Sequence, residues 1–441
     1  MTMLAGATRT AARMGRAPGL GWVAGLVRRG AVGLASRSGT LDLSRVEQVP
    51  ESLAWPLRRE GLVPSERLRA LGAEDPVHRL TSFVGMRVWL VTGHAESRAV
   101  LADAGSYSTD IRPYVGRRGR TDGDIGGLGF TDPPDHTRLR RMLTPELTMR
   151  ALGRMRPLVE SVVERQLDEV ADAARGGGEV DLVPTFAFPV PFLVICDLLG
   201  LPDRRREEFR ALGSARFDVS GGGYGTFGAI SGSREFLLEE VRRQRVEPGP
   251  GLIGRLLAAH GDDVDDRELA GLADGVFTGG LETSASMLAL GAAVLLEDRP
   301  TWRGLAAGST PVEPVVEELL RLLSVVQVAF PRFVRREAVV GGVTVRPGDV
   351  VLVSLPAADH DERLTGPGAT RFDPARGPAA HLAFGHGLHR CVGAELARLE
   401  LRTAYAGLAA RFGDLRLVAP PEVSETSLVL GVDRVLVRTG A

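Results

Sequence analysis

From Asp265 to Asp298 the sequence runs almost without polar relief. Asp265 is placed to cap a helix, and Glu268 stands three residues later, the pattern that satisfies the first free N–H groups of a helix. A helix of that length, apolar on most faces, has no side to give to water and must cross the middle of a large protein. The chain has 441 residues, 44% of them hydrophobic, enough to build a core around it. Basic and acidic residues number 54 and 55, so no global field points to nucleic acid or an anionic membrane. There are two cysteines, Cys196 and Cys391. That excludes a disulfide framework and a zinc site of several thiolates, and it suits a reducing cytoplasm. It leaves room for one special thiolate.

Residues 1–52 form an Arg-rich extension with Arg9, Arg13, Arg16, Arg28, Arg29 and Arg37 and no acid before Asp42. Its apolar runs are too short for a membrane span, and a disordered tail or an upstream start is expected, with a targeting segment as the alternative. Residues 53–438 read as one domain, mainly α with small β-sheets. Val88–Val91 is a short buried strand, 105–130 a long loop of the length that tends to be functional or mobile, and 137–175 has helical periodicity that ends at Gly176–Gly178. Phe192–Leu199 is a buried helix in which Cys196 serves as a small hydrophobe. A Gly-rich link covers 219–233. After the long helix come a helix at Pro314–Leu323, short strands over 325–355, a last helix at Val392–Arg411 and a hairpin at Ser427–Val437.

The sharpest chemistry lies in Phe384-Gly385-His386-Gly387-Leu388-His389-Arg390-Cys391-Val392-Gly393. It is a Gly-rich loop that turns into a helix at a cysteine. Free N–H groups and the dipole at a helix start favour a thiolate, and glycines let backbone approach a flat ligand closely. Such a thiolate is a soft ligand for iron. A buried cysteine in an ordinary turn is the competing reading.

This stretch resembles the haem-binding signature of the cytochrome P-450 family, Phe-x-x-Gly-x-x-x-Cys-x-Gly, with Phe384, Gly387, Cys391 and Gly393 at its fixed positions. Other segments resemble family motifs in the right order. Glu318-Leu319-Leu320-Arg321 matches the buried Glu-x-x-Arg pair, and Phe372-Asp373-Pro374 the meander before the cysteine. Gly279-Gly280-Leu281-Glu282-Thr283 matches the segment that opens the long helix over the haem for dioxygen. The resemblance implies that Thr283 holds the bound oxygen and that Glu282 relays protons. Asp132 to Arg140 resembles the helix crossing one haem edge. His136, Arg140, Arg332 and His389 match the propionate ligands, with Phe384, Gly385 and Gly393 against the macrocycle. Ala357-Ala358-Asp359-His360-Asp361 departs from the usual Ala-Asn-Arg-Asp-Pro, and Arg390 stands where a hydrophobe or His is common.

The resemblance implies a triangular prism of helices, with haem b between the long central helix and the Cys391 loop. It implies a cytoplasmic, monomeric monooxygenase that activates dioxygen to hydroxylate, epoxidise or oxidatively couple a hydrophobic secondary metabolite. No region remains for a flavin or nicotinamide domain, so electrons are expected from a separate ferredoxin and ferredoxin reductase. The pocket is expected to draw on residues 109–128 and 217–229, and on Val276, Gly280, Val326, Val328, Phe330 and Val429. Two rivals remain at this level: a haem-thiolate enzyme using peroxide directly, and a non-catalytic haem sensor or carrier.

Overall fold

Asp265 accepts the Glu268 amide at 2.8 Å and caps a 32-residue helix, Asp266–Glu297. At 1.5 Å per residue that helix is about 48 Å long, and most of its side chains are buried. The computed structural model describes residues 51–83, 86–114, 127–212, 222–377, 380–423 and 427–439. The expectations for 1–50, and for parts of the 105–130 loop and the 217–229 link, lie outside those residues.

The helices that build the site are, in chain order, α1 (His94–Ala102), α2 (Asp135–Leu143), α3 (Met149–Ala173), α4 (Pro189–Leu199), α5 (Gly222–Val246), α6 (Asp266–Glu297), α7 (Arg299–Ala306), α8 (Val312–Leu323), α9 (Leu355–Asp359) and α10 (Ala394–Arg411). The central α6 packs against α4, α5, α7, α8 and α10, and α10 packs in turn on α3. One apolar cluster joins them and includes Phe277, Leu288 and Leu295 of α6, Val163 of α3, Leu319 of α8 and Leu408 of α10. At the α6–α10 crossing the Tyr405 hydroxyl donates to the Met287 carbonyl. A Cβ on Gly291 would lie 1.9 Å from that hydroxyl oxygen, so the helices meet this closely only because residue 291 is glycine. Among the described residues α6 alone is long and apolar enough to cross a membrane, and 78% of its most apolar window is buried inside the protein.

A five-stranded sheet flanks the helices. Its strands are β1 (Val77–Phe83), β2 (Met86–Val91), β3 (Tyr107–Ser108), β4 (Arg332–Val334) and β5 (Val350–Val353), in the order β1-β2-β5-β4-β3. Val88–Val91 is the expected buried strand and pairs in parallel with Val350–Val353.

The stretch 137–175 is helical as expected and divides in two: Pro145 ends the α2 run in a 3-10 turn, and Thr148 caps α3 afresh by accepting the Ala151 amide. One expectation is corrected. Ser427–Val437 is not a hairpin. Val432–Arg434 pairs with Glu422–Val423, while Leu436–Arg438 pairs with Arg416–Leu417 and Val180–Asp181. Alternation of apolar residues identifies strands but does not choose their partners.

Candidate active site

Backbone hydrogen bonds fold the Cys391 loop on itself. Gly385 N–H donates to the Leu382 carbonyl at 2.7 Å, Arg390 N–H to Gly387 at 3.1 Å, and Cys391 N–H to Phe384 at 2.8 Å. Gly385 and Gly387 both have positive φ, at 68° and 70°. Gly387 also lies against the backbone of α1, where a Cβ would come within 2.5 Å of the Leu101 carbonyl oxygen. Position 387 therefore excludes a side chain twice over, by conformation and by contact. Gly393 lies against the sulfur, since a Cβ there would be 3.9 Å from Cys391 Sγ.

The Cys391 thiol is accessible, whereas Cys196 is buried in the core as expected. Dense surroundings hold the Cys391 thiol above its ordinary range, against the Gly393 N–H and the charges of Arg390, Arg140 and Arg398. A bound cation deprotonates a coordinating thiol outright.

Beside the loop lies a set of cationic and neutral donors without an anion. His136 of α2 is fully buried, and neither ring nitrogen has a hydrogen-bond partner among the described residues. Its ring centroid is 4.4 Å from that of His389. Burial pushes His136 down to about 4 and His389 to about 3, so both are neutral near pH 7. Arg332 of β4 is only 4% exposed and donates to the Phe330 carbonyl at 2.7 Å. Burial lowers it to about 10. Neither Arg332 nor Arg140 has a carboxylate within ion-pair distance among the described residues. A buried guanidinium without an anion is costly. Two guanidiniums and two imidazoles around an accessible thiol therefore fit a flat, metal-bearing, dicarboxylate macrocycle. The structure brings together all five residues expected to hold it: His136, Arg140, Arg332, His389 and Cys391.

On α6, Thr283 Oγ1 donates to the Gly279 carbonyl at 2.7 Å, and Glu282 beside it is half-buried. The helix does not break here, contrary to expectation; it is continuous through Asp266–Glu297. Room comes from an absent side chain at Gly279, which is exposed and where a Cβ would meet nothing within 4 Å, whereas Gly275 lies against the Gly127 backbone. Gly280 is closed off behind by Ile195 Cδ1, 3.0 Å from its would-be Cβ.

The expected pocket residues divide. Val276, Gly280, Val326 and Val328 are half-buried, with Gln327 between the two valines turned into the core. Phe330 is 44% exposed and packs edge-on against Phe130, 4.7 Å between centroids. Val429 is corrected: it is 2% exposed and bridges Val326 from behind, whereas its neighbour Leu428 is 39% exposed.

The Glu318–Arg321 pair is buried and bidentate, at 2.7 and 2.8 Å. Arg321 also donates to the Asp359 and Ala369 carbonyls, and Glu318 accepts the Asp373 amide, so the pair ties α8 to the segment before the cysteine loop. Sequence reasoning missed Asp359. Its carboxylate takes the Leu382 amide at 2.6 Å and the Ser324 hydroxyl at 2.5 Å. The departure at 357–361 thus still anchors the loop. It also missed Asp132, which accepts from Thr109 N at 3.1 Å, Ser108 and Arg335. Thr109 Oγ1 in turn lies 3.4 Å from His389 Nε2. The signal available for Asp132 was its place just ahead of His136.

A family model described as cytochrome P-450 matches residues 311–431. Cytochrome P-450 165B3 of Amycolatopsis orientalis is 37% identical over 84% of this chain and 94% of its own length. The structure of StaH, a P-450 from the biosynthesis of a glycopeptide antibiotic, aligns with a TM-score of 0.74 at 38% identity, over 87% of this chain and 99% of that one. OxyC, implicated in an oxidative C–C coupling during vancomycin biosynthesis, aligns with a TM-score of 0.74 at 34% identity over 86% of this chain and 95% of its own. With that likeness across nearly the whole length of its relatives, and a thiol loop built as described, the chain belongs to the cytochrome P-450 family and is a haem-dependent monooxygenase.

Proposed function

We propose that this chain holds haem b on Cys391, with His136, Arg140, Arg332 and His389 on its two propionates, and that it oxidises an aromatic, peptide-like secondary metabolite by hydroxylation or oxidative coupling. The observation that carries the haem assignment is the buried, anion-free set of Arg332 and His136 beside an accessible cysteine. Haem supplies the dioxygen activation, which thiolate donation favours.

The chain's own residues supply the rest. Glu282 is half-buried, where its carboxyl can exchange protons with solvent and pass them to Thr283. Thr283 Oγ1 spends its proton on the Gly279 carbonyl at rest and faces the side-chain-free stretch of α6. Val276, Val326, Val328 and the Phe130–Phe330 pair offer apolar and aromatic contact and exclude water. Bare glycine at 279 leaves width for a rigid aromatic substrate. The relatives from glycopeptide-antibiotic pathways support that substrate class.

Electrons come from a ferredoxin and its reductase, and the protein acts as a cytoplasmic monomer in this reading. The test is a spin-state titration of the purified ferric protein with linear aromatic peptides, free and carrier-bound. A high-spin shift with peptides supports the assignment; a shift only with terpene or polyketide scaffolds overturns the substrate class.

A further inference from the structure

Gln327 stands between Val326 and Val328 of the expected pocket, yet its own side chain is turned into the core and is 1% exposed. Its Oε1 accepts the Arg59 Nε–H at 2.8 Å, and its Nε2 donates to the Ser427 carbonyl at 2.9 Å. One buried amide thus joins segments from both ends of the domain. Arg59 also donates to the carbonyls of Leu62, Leu323 and Ser324, at 3.2, 3.1 and 3.0 Å. It therefore holds the end of α8, where Ser324, at a φ of 35°, turns the chain into residues 325–330. That segment pairs with the chain around Leu428. Gln327 N–H donates to the Leu428 carbonyl at 2.9 Å, Leu430 N–H donates to Val325 at 2.7 Å, and Val326 bridges Val429. Leu428, 39% exposed, directly follows the carbonyl that the Gln327 side chain grips.

We infer that Gln327 is a positioning residue for substrate: held between Arg59 and Ser427, it fixes where Leu428 stands relative to Val326 and Val328, and so sets how closely the pocket wall meets a bound ring. An amide suits this place because it accepts at one atom and donates at the other. A carboxylate of the same size only accepts, and a hydrocarbon side chain does neither. Gln327 is shielded from water, so a partner that loses the amide gains no solvent in its place. Gln327→Glu therefore cuts the network at one end. It keeps the bond from Arg59 but sets an oxygen against the Ser427 carbonyl, which pushes residues 427 and 428 away from the 325–328 segment. The inference rests on the haem and pocket assignments of the proposed function.

The experiment titrates ferric, haem-loaded protein with imidazole and with 4-phenylimidazole, following the Soret shift that a nitrogen ligand on the iron produces. Imidazole is too small to meet the pocket wall, whereas the phenyl ring reaches beyond the iron. The variants are Gln327→Glu, Leu428→Ala and the double variant, each with its reduced carbonyl spectrum as a check on thiolate ligation. Gln327→Glu is expected to bind 4-phenylimidazole about tenfold more weakly, the scale of a small loss of apolar contact in a pocket, with imidazole affinity as in the parent. In the Leu428→Ala background the same substitution is expected to matter much less, since residues that act through one another are non-additive. Arg59→Lys, which keeps the charge and loses the planar fork, takes the place of Gln327→Glu if that variant does not retain haem, with the same expectation. An unchanged affinity for 4-phenylimidazole, an equal change for both ligands, or a full change that persists without the Leu428 side chain overturns the inference. Loss of haem from both variants makes the network a structural one and overturns it too. A parent protein without the thiolate spectrum overturns the haem assignment and takes this inference with it.

Discussion

The rings of His136 and His389 lie 4.4 Å apart, one from α2 and one from the cysteine loop, and burial keeps both uncharged. Two neutral imidazoles can face each other at that distance without repulsion. Each would still offer an N–H to a carboxylate placed between them and the arginines.

That neutrality sets a pH dependence. His136 is depressed to about 4 and the buried His360 to about 3, while an unfolded His titrates near 6.5. Below that value the unfolded chain binds protons that the folded chain does not. The stability of the haem-free protein should therefore fall as pH drops from 6.5 towards 4, by up to about 1.4 kcal/mol per pH unit for each group. Urea unfolding at a series of pH values checks it. His360→Phe should flatten the slope; an unchanged slope counts against a neutral buried His360.

Cys391→Ser should abolish the thiolate-type carbonyl spectrum, and Cys196→Ala should leave it unchanged, because Cys196 is a core residue whose thiol burial raises to about 12. The Cys196 variant should cost stability only on the scale of a small cavity, about 1 kcal/mol. Retention of the spectrum in the Cys391 variant would place the ligand elsewhere.

Gly387→Ala should weaken haem retention. The new Cβ meets the Leu101 carbonyl at a positive φ, so the loop must shift against α1. The strain is about 1–2 kcal/mol for the conformation alone, with the clash added. Gly342→Ala is the control: its φ is 81°, but a Cβ there meets nothing within 4 Å. Melting temperature and haem-loss rate for the two variants separate strain from contact.

Thr283→Ala removes one hydroxyl that bonds Gly279, so stability should change by no more than about 1 kcal/mol. Substrate binding should persist while product formed per electron consumed falls several-fold, with reduced oxygen released instead. Product and oxygen consumption measured together would show it. Unchanged coupling would remove Thr283 from proton handling.

Arg321→Met should be among the most damaging core substitutions, because it takes the bidentate partner from buried Glu318, leaving only the longer 3.5 Å contact to Arg376, and frees the Asp359 and Ala369 carbonyls. A loss of about 3–5 kcal/mol is expected, read as failure to accumulate folded protein with haem. Full stability would make the pair dispensable.

The sequence by itself determined what local chemistry can determine. The apolar stretch after Asp265 had to become a buried helix, and Asp265 caps it as read. The cysteine loop was legible because glycines at 385 and 387 serve backbone conformations that little else adopts. Cys196 was legible as core because apolar residues surround it in sequence. Local pattern failed where the answer depended on distant partners. Val429 reads as a pocket residue, but its pairing with Val326 turns it inward and leaves Leu428 exposed. Asp359 reads as a departure from a motif, but the fold places the Leu382 amide and Ser324 hydroxyl on its carboxylate. Local sequence places Arg398 on the last helix, but only packing sets Glu317, 81 residues away, against its edge and the Phe384 ring 4.7 Å from its central carbon. Backbone conformation and burial tendency are written residue by residue; hydrogen-bond partners and electrostatic neighbours exist only after long-range contacts have formed.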